Sequence, residues 1–153
     1  MAELLWTVGI LAGVVLAIAI SLLEMTHRLA RPHEGVLGRV PGLPGMHDVA
    51  DYKKARTIPG CIFYRYDAPL FFANIGDLRE RVENVIAQEN AAFPESPVRW
   101  FILNVEANVE VDVTAADGLR ELAQELAARG IDLGLARVKL DLYEPLDLSL
   151  IHI

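Results

Sequence analysis

Three carboxylates, Glu106, Glu110 and Asp112, stand close together between two apolar stretches of the 153-residue chain. Paired carboxylates are the raw material of general acid–base catalysis, yet no His, Lys or nucleophile follows them at a useful spacing, and carboxylates on a connection are ordinarily solvated. No catalytic residue is assigned, and the chain reads as something other than an enzyme. His27, His33, His47 and His152 are widely scattered, and Cys61 is the single cysteine, so no spacing matches a metal site and no cofactor is expected. Neither a P-loop nor a dinucleotide fingerprint follows any strand-like run. Arg65 and Arg137, each inside such a run, could meet a ligand or pair with Asp67, Asp112 or Glu106, and a buried structural pair is the commoner role for a strand arginine.

The formal net charge of −7 argues against a broad basic face for nucleic acid. A lone cysteine rules out an internal disulfide framework and fits a reducing compartment.

The elements that position these residues are legible from their periodicity. Cys61–Tyr66 and Pro69–Ala73, rich in aromatic and β-favouring residues around Asp67-Ala68, predict two short antiparallel strands. Asn74 then caps a helix with apolar positions at Ile75, Leu78, Val82, Val85 and Ile86 and with Asp77 in its first turn. Val98–Glu106 is a mostly apolar run suited to the middle of a sheet. Thr114 followed by Asp117 gives a capping-box-like start to a second helix with a Leu119, Leu122, Leu126 stripe, stopped by Gly130. Ile131–Val138 supplies one more strand. The order β-β-α-β-α-β predicts an α/β fold, a parallel or mixed sheet with helices packed on it.

Ahead of this lies an uncharged run, Leu4–Leu23, which as a helix rises roughly 30 Å and matches a bilayer's hydrocarbon core. A secretory signal would have a basic n-region and a shorter apolar stretch, although Ala17-Ile18-Ala19 resembles a cleavage site. The run is apolar all round, which a soluble core helix is not. His27, Arg28, Arg31 and Arg39 follow it whereas only Glu3 precedes it, so its C-terminal side is expected in the cytoplasm, and Trp6 suits the outer interface. Gly9, Gly13, Ala17 and Ser21 form a small-xxx-small stripe on which a second helix can pack, either another span or a second copy. Residues 32–60, dense in Gly and Pro, read as a linker without a core of its own. Arg39, Lys53, Lys54 and Arg56 interleave there with Glu34, Asp48 and Asp51 as a solvated mixed-charge tether.

"YRYDAPLFFANIGDLRERV", "WFILNVEANVEVDVTAADGL" and "RGIDLGLARVK" resemble the cytosolic STAS domain of SulP-type anion transporters, and "RPHEGVLGRVPG" resembles the connector from that family's last transmembrane helix. The resemblance runs from the apolar run to Asp141. It implies a division into a transmembrane helix with its flank (1–31), a linker (32–60), an incomplete STAS domain (61–145) and an atypical tail (146–153) that resembles nothing in the family and is expected to be foreign or frame-shifted.

It further implies a fragment of a proton- or sodium-coupled, or exchanging, carrier of sulfate, bicarbonate or dicarboxylates. Such a carrier is multi-pass in the inner (plasma) membrane and often a homodimer. Its substrate site lies in the remaining transmembrane helices, and its STAS domain regulates and binds cytosolic partners. The implied partners are membrane lipid, those helices, a second copy and a cytosolic protein. The alternative is a single-pass, membrane-anchored STAS signalling protein of the anti-sigma-factor-antagonist type. In those antagonists a phosphorylated serine lies in an Asp-Ser-Ser-Gly motif. The matching residues here are Asp112, Val113, Thr114 and Ala115, so a hydroxyl remains at Thr114 while the glycine is lost. Thr114 is accordingly either a phosphoacceptor or an N-cap, and the N-cap is the plainer reading.

Overall fold

The computed structural model describes residues 2–30, 32–108, 110–139 and 151–152; the side chains of 2–8, 28–30 and 151–152, Trp6 and Arg28 among them, lie outside that description, as does Arg31. The chain divides into two units between residues 31 and 32. The first is one helix, α1 (Ala2–Ala30). Its segment Gly9–His27, with a mean hydropathy of 2.1, is long and apolar enough to cross a membrane. Large apolar side chains stand exposed around its circumference, among them Ile10, Leu11, Leu16 and Ile20, and Gly9, Gly13, Ala17 and Ser21 are exposed too. The Thr26 hydroxyl donates to the Leu22 carbonyl at 2.8 Å, which satisfies a polar group that lipid could not.

The second unit begins where a linker was expected, and the expectation fails. Residues 34–39 form β1 (Glu34–Arg39) and 46–48 form β2 (Met46–Asp48), antiparallel to each other. β1 also pairs antiparallel with β3 (Cys61–Tyr66), Glu34 opposite Tyr66 and Leu37 opposite Phe63. Leu37, Val40, Asp48 and Ala55 are buried. The glycines that suggested flexibility permit close approach instead. A Cβ on Gly38 would lie 2.8 Å from the Arg56 carbonyl oxygen, and one on Gly35 would collide with the Asp48 carboxylate.

From β3 onward the expected α/β alternation holds. Helix α2 (Ile75–Ala92), β4 (Trp100–Asn104), α3 (Val113–Ala128) and β5 (Asp132–Ala136) follow in order, with β3, β4 and β5 mutually parallel. Pro69–Ala73 is not a strand: only Leu70 bridges, in parallel, to Val111. Its aromatic residues are β-favouring by type, but here Phe71 and Phe72 stack edge-on to each other at 5.6 Å where the chain turns ahead of α2. Within the expected tail, β6 (Ile151–His152) lies parallel beside Gly134–Leu135, so those two residues join the sheet rather than leaving it. Residues 140–150 and Ile153 lie outside the described residues. The mixed sheet runs β2-β1-β3-β4-β5-β6.

Alternation along β3 sends Ile62, Tyr64 and Tyr66 into one core with Phe101, Leu103, Leu133 and Leu135. Leu78, Val82 and Ile86 of α2 and Leu119, Leu122 and Leu126 of α3 complete it. Gly130, at φ +75°, closes α3 in a Schellman arrangement. Its N–H donates to the Ala127 carbonyl, and that of Ile131 to the Leu126 carbonyl. β5 ends earlier than expected, because Arg137 takes a left-handed φ of 60°.

Charged groups lock α2 to the strands beneath it. Arg81 pairs with Asp77 at 2.6 Å and with Glu34 on β1, and the Tyr66 hydroxyl donates to Asp77 at 3.2 Å. Burial, then the Asp77 carboxylate, push the Tyr66 phenol above its ordinary range. Burial works against the Arg81 cation, but its hydrogen bonds to the Asp77 and Glu34 carboxylates outweigh it and raise its pKa.

Replacing Gly38 by Ala is expected to destabilise the full chain by about 1–3 kcal/mol, because backbone atoms of residue 56 cannot rotate away from a new methyl; urea unfolding in micelles measures it. Burial alone pushes the Cys61 thiol up. At neutral pH it should alkylate more slowly than a free thiol, gain rate only at higher pH, and lose the difference on unfolding.

Candidate functional site

The start of α3 gathers the residues whose types suggested chemistry. Thr114 was expected at the cap, but the capping residue is Asp112, two positions earlier, whose Oδ1 accepts from the Ala115 N–H at 2.7 Å. Its extended backbone and short carboxylate meet the geometric need of an N-cap, which Thr114, already within the helix, cannot. Oδ2 of the same carboxylate accepts from the Phe72 N–H at 2.9 Å. The Asp112 N–H donates to the Leu70 carbonyl and the Leu70 N–H to the Glu110 carbonyl, each at 3.2 Å. One aspartate thus joins the helix start to the loop that precedes α2.

That loop is held from both ends. Asn74, fully buried, accepts from the Phe71 N–H at 2.9 Å and donates to the Pro69 carbonyl at 2.8 Å. It occupies the N-cap position of α2, but makes no side-chain capping bond to that helix. Buried Asn108 donates to the Ala68 carbonyl. With the backbone so constrained, Phe72 is 70% exposed and Val113 80% exposed. Thr114 is exposed beside them, and Ala115 is buried. Phe72 and Val113 escaped sequence reasoning, the first because it reads as strand and the second because it reads as motif filler. The one available signal was a large apolar residue on each side of polar capping groups.

The remaining candidates disperse. Arg65 reaches Asp67 at 3.1 Å and the buried Asp48 at 3.4 Å, so the first of its expected partners is met and a second comes from β2. Arg137 pairs with Glu106, also as anticipated, but both are more than half exposed and the pair is not buried. The hydrogen bond from Arg137 holds the Glu106 carboxyl below its ordinary range, which leaves it an anion and no proton donor. Among the described residues no three of His, Cys, Asp and Glu converge to hold a metal ion. Because the cap resides on Asp112, Asp112→Ala should cost about 1–3 kcal/mol in thermal unfolding, since two backbone donors lose their acceptor. Thr114→Ala should stay within about 0.5 kcal/mol of the parent.

Comparison with known proteins gives this geometry a family. The STAS domain family matches residues 52–152, starting ahead of Cys61 and running into the expected tail. A Mycobacterium tuberculosis protein named "probable sulfate transporter" is 51% identical over 138 residues, 90% of this chain and 24% of that protein. The chloroplastic sulfate transporter 4.1 of Arabidopsis thaliana is 30% identical over 151 residues, 91% of this chain and 22% of its own length. The chain therefore spans about a quarter of the length of the curated relatives it matches. The fold is shared with the murine solute carrier 26 family member A9 anion transporter in its inward-facing state, at a TM-score of 0.74 and 23% identity, over 88% of this chain and 21% of that one. A membrane-length helix followed by this mixed sheet, with the family match across the second unit, establishes that the chain belongs to the STAS domain family and is homologous to part of the SulP-type sulfate transporters.

Proposed function

We propose that this chain is a portion of a SulP-type secondary anion transporter of the sulfate, bicarbonate and dicarboxylate class. In this reading α1 is one span of a multi-pass domain in the inner (plasma) membrane, and the STAS unit is a cytoplasmic regulatory and interaction module away from the transport path. The observation that carries the reading is the single alignment to the mycobacterial relative. At 90% of the chain, it leaves too few residues outside to exclude the apolar helix, so helix and domain are related to that protein together. The basic flank after the span, His27, Arg28 and Arg31, supports a cytoplasmic domain. No catalytic role is assigned.

The partners follow from the same reading. Lipid surrounds α1, and its Gly9, Gly13, Ala17, Ser21 stripe packs against the remaining transmembrane helices or a second copy in a homodimer. The rim formed by Phe72, Val113 and Thr114 serves a cytosolic protein. The exposed Thr114 hydroxyl, relieved of capping duty by Asp112, favours a second role as phosphoacceptor. A phosphate there would interact favourably with the dipole of α3 but unfavourably with the Asp112 carboxylate. That hydroxyl is also the observation that favours the alternative, a single-pass anchored signalling protein.

In-frame coding sequence upstream of Met1 is expected to specify roughly a dozen further apolar stretches; a stop codon in that frame just upstream overturns the carrier reading and leaves the alternative. A reporter active only in the cytoplasm, fused after Ile153, is expected to be active, and an inactive reporter on expressed protein refutes the orientation.

A further inference from the structure

The described arginines divide into two groups. Arg65, Arg79, Arg81, Arg120, Arg129 and Arg137 each lie against a carboxylate. Arg39, Arg56 and Arg99 have no carboxylate partner among the described residues. The acids interleaved with Arg39 and Arg56 in sequence do not pair with them: Glu34 is taken by Arg81 and Asp48 by Arg65, and Asp51 forms no ion pair with either arginine among the described residues.

Arg39 and Arg56 are moreover set directly opposite each other. The Arg39 N–H donates to the Arg56 carbonyl at 2.9 Å, and the Arg56 N–H returns to the Arg39 carbonyl at 3.0 Å. Residues that exchange both bonds in an antiparallel bridge project their side chains from the same face. Like charges so placed repel unless something lies between them. Between and beside them opens a cavity of about 490 Å³, walled also by Val40, Gly42, Leu43 and Ile58. One guanidinium nitrogen of Arg56 donates to the Ala55 carbonyl at 3.0 Å and to the Lys53 carbonyl at 3.3 Å, and the other N–H groups remain for a ligand. Gly42, at φ +85°, turns the chain around the cavity mouth in a conformation other residues adopt only with strain.

We infer that the Arg39–Arg56 cavity is an oxyanion site, which takes a phosphate or sulfate group between two guanidiniums. The chemistry is that of charge-assisted, fork-shaped donors meeting tetrahedral oxygens. The pairing of strands fixes the two backbones side by side before the anion arrives, so only the two side chains must be ordered on binding. The apolar wall of Val40, Leu43 and Ile58 borders the pair on one side and accommodates a short apolar body attached to the anion. A free inorganic dianion and the phosphate of an anionic lipid share this chemistry. The inference is independent of the transporter reading, because every residue it uses lies in the second unit.

The test uses the full chain in maltoside micelles, which carry no phosphate, and follows thermal unfolding as sodium sulfate or sodium phosphate replaces sodium chloride at constant ionic strength. A saturable rise in unfolding temperature is expected. Arg39→Gln and Arg56→Gln should each weaken the midpoint by about tenfold or more, whereas Arg99→Gln should leave it unchanged. Without anion, neither Gln variant should unfold earlier than the parent, since each relieves the repulsion; this also shows that the variants are folded. A second arm adds phosphatidylglycerol to the micelles. Saturation by sulfate or phosphate alone assigns the site to free anions. A response to the lipid alone, lost in both Gln variants, assigns it to a lipid phosphate. A rise that is linear in salt and equal in parent and variants is general salt exclusion and overturns the site, as does no response in either arm.

Discussion

The pairing of β1 on β3 is the contact on which the second unit depends. It turns the chain that follows the apolar helix into an interior strand, and it holds only because Gly35 and Gly38 let a carboxylate and a neighbouring backbone lie against them. Side chains at either place would drive β1 away from residues 48 and 56. With β1 in place, Asp48 is buried against Arg65, Glu34 meets Arg81 of α2, and Arg39 comes opposite Arg56. Helix α2, the β1–β2 hairpin and the sheet are therefore tied through a single strand, and the stretch expected to be a linker belongs to the second unit.

Direction matters as much as pairing. Because β1 runs antiparallel to β3, its first residue lies opposite the last residue of β3, Glu34 against Tyr66. The chain enters the sheet at the edge where the parallel strands end and where α2 and α3 start. The Asp67 N–H donates to the His33 carbonyl at 3.0 Å at this edge, and the loop bearing Phe72 continues from it. The exposed rim of α3 and the point of entry thus share one end of the sheet, at the carboxyl ends of the parallel strands. The Arg39–Arg56 cavity is served by the far end of β1.

What the sequence revealed depended on how local the cause was. Helices α2 and α3 were legible because their buried positions, Leu78, Val82 and Ile86, then Leu119, Leu122 and Leu126, repeat at helical spacing, and Gly130 marks a stop by its own backbone preference. β4 and β5 were legible as short apolar runs. β1 was not, because the reason for its glycines lies in residues 48 and 56, which no local pattern reveals. At the candidate site, Asp112 and Thr114 are both good caps by type. Choosing between them required the backbone angle at residue 112, and in the structure that angle is extended. The rim residues Phe72 and Val113 were missed since exposure of an apolar side chain is a property of the loop that carries it. The pairs of Arg65 with Asp67 and of Arg137 with Glu106 were foreseen in kind, but the burial of Asp48 and the exposure of Arg137 were not.

The two-handed grip of the Asp112 carboxylate has a dynamic corollary. Its oxygens hold amides on separate segments, Ala115 in the first turn of α3 and Phe72 in the loop ahead of α2. Rotation of that one side chain frees both amides, so fraying of the first turn of α3 is coupled to release of the Phe72 amide, while Asn74, Asn108 and the Leu70 backbone bonds keep the rest of the loop in place. A displacement of the Phe72 amide is therefore felt at the beginning of α3.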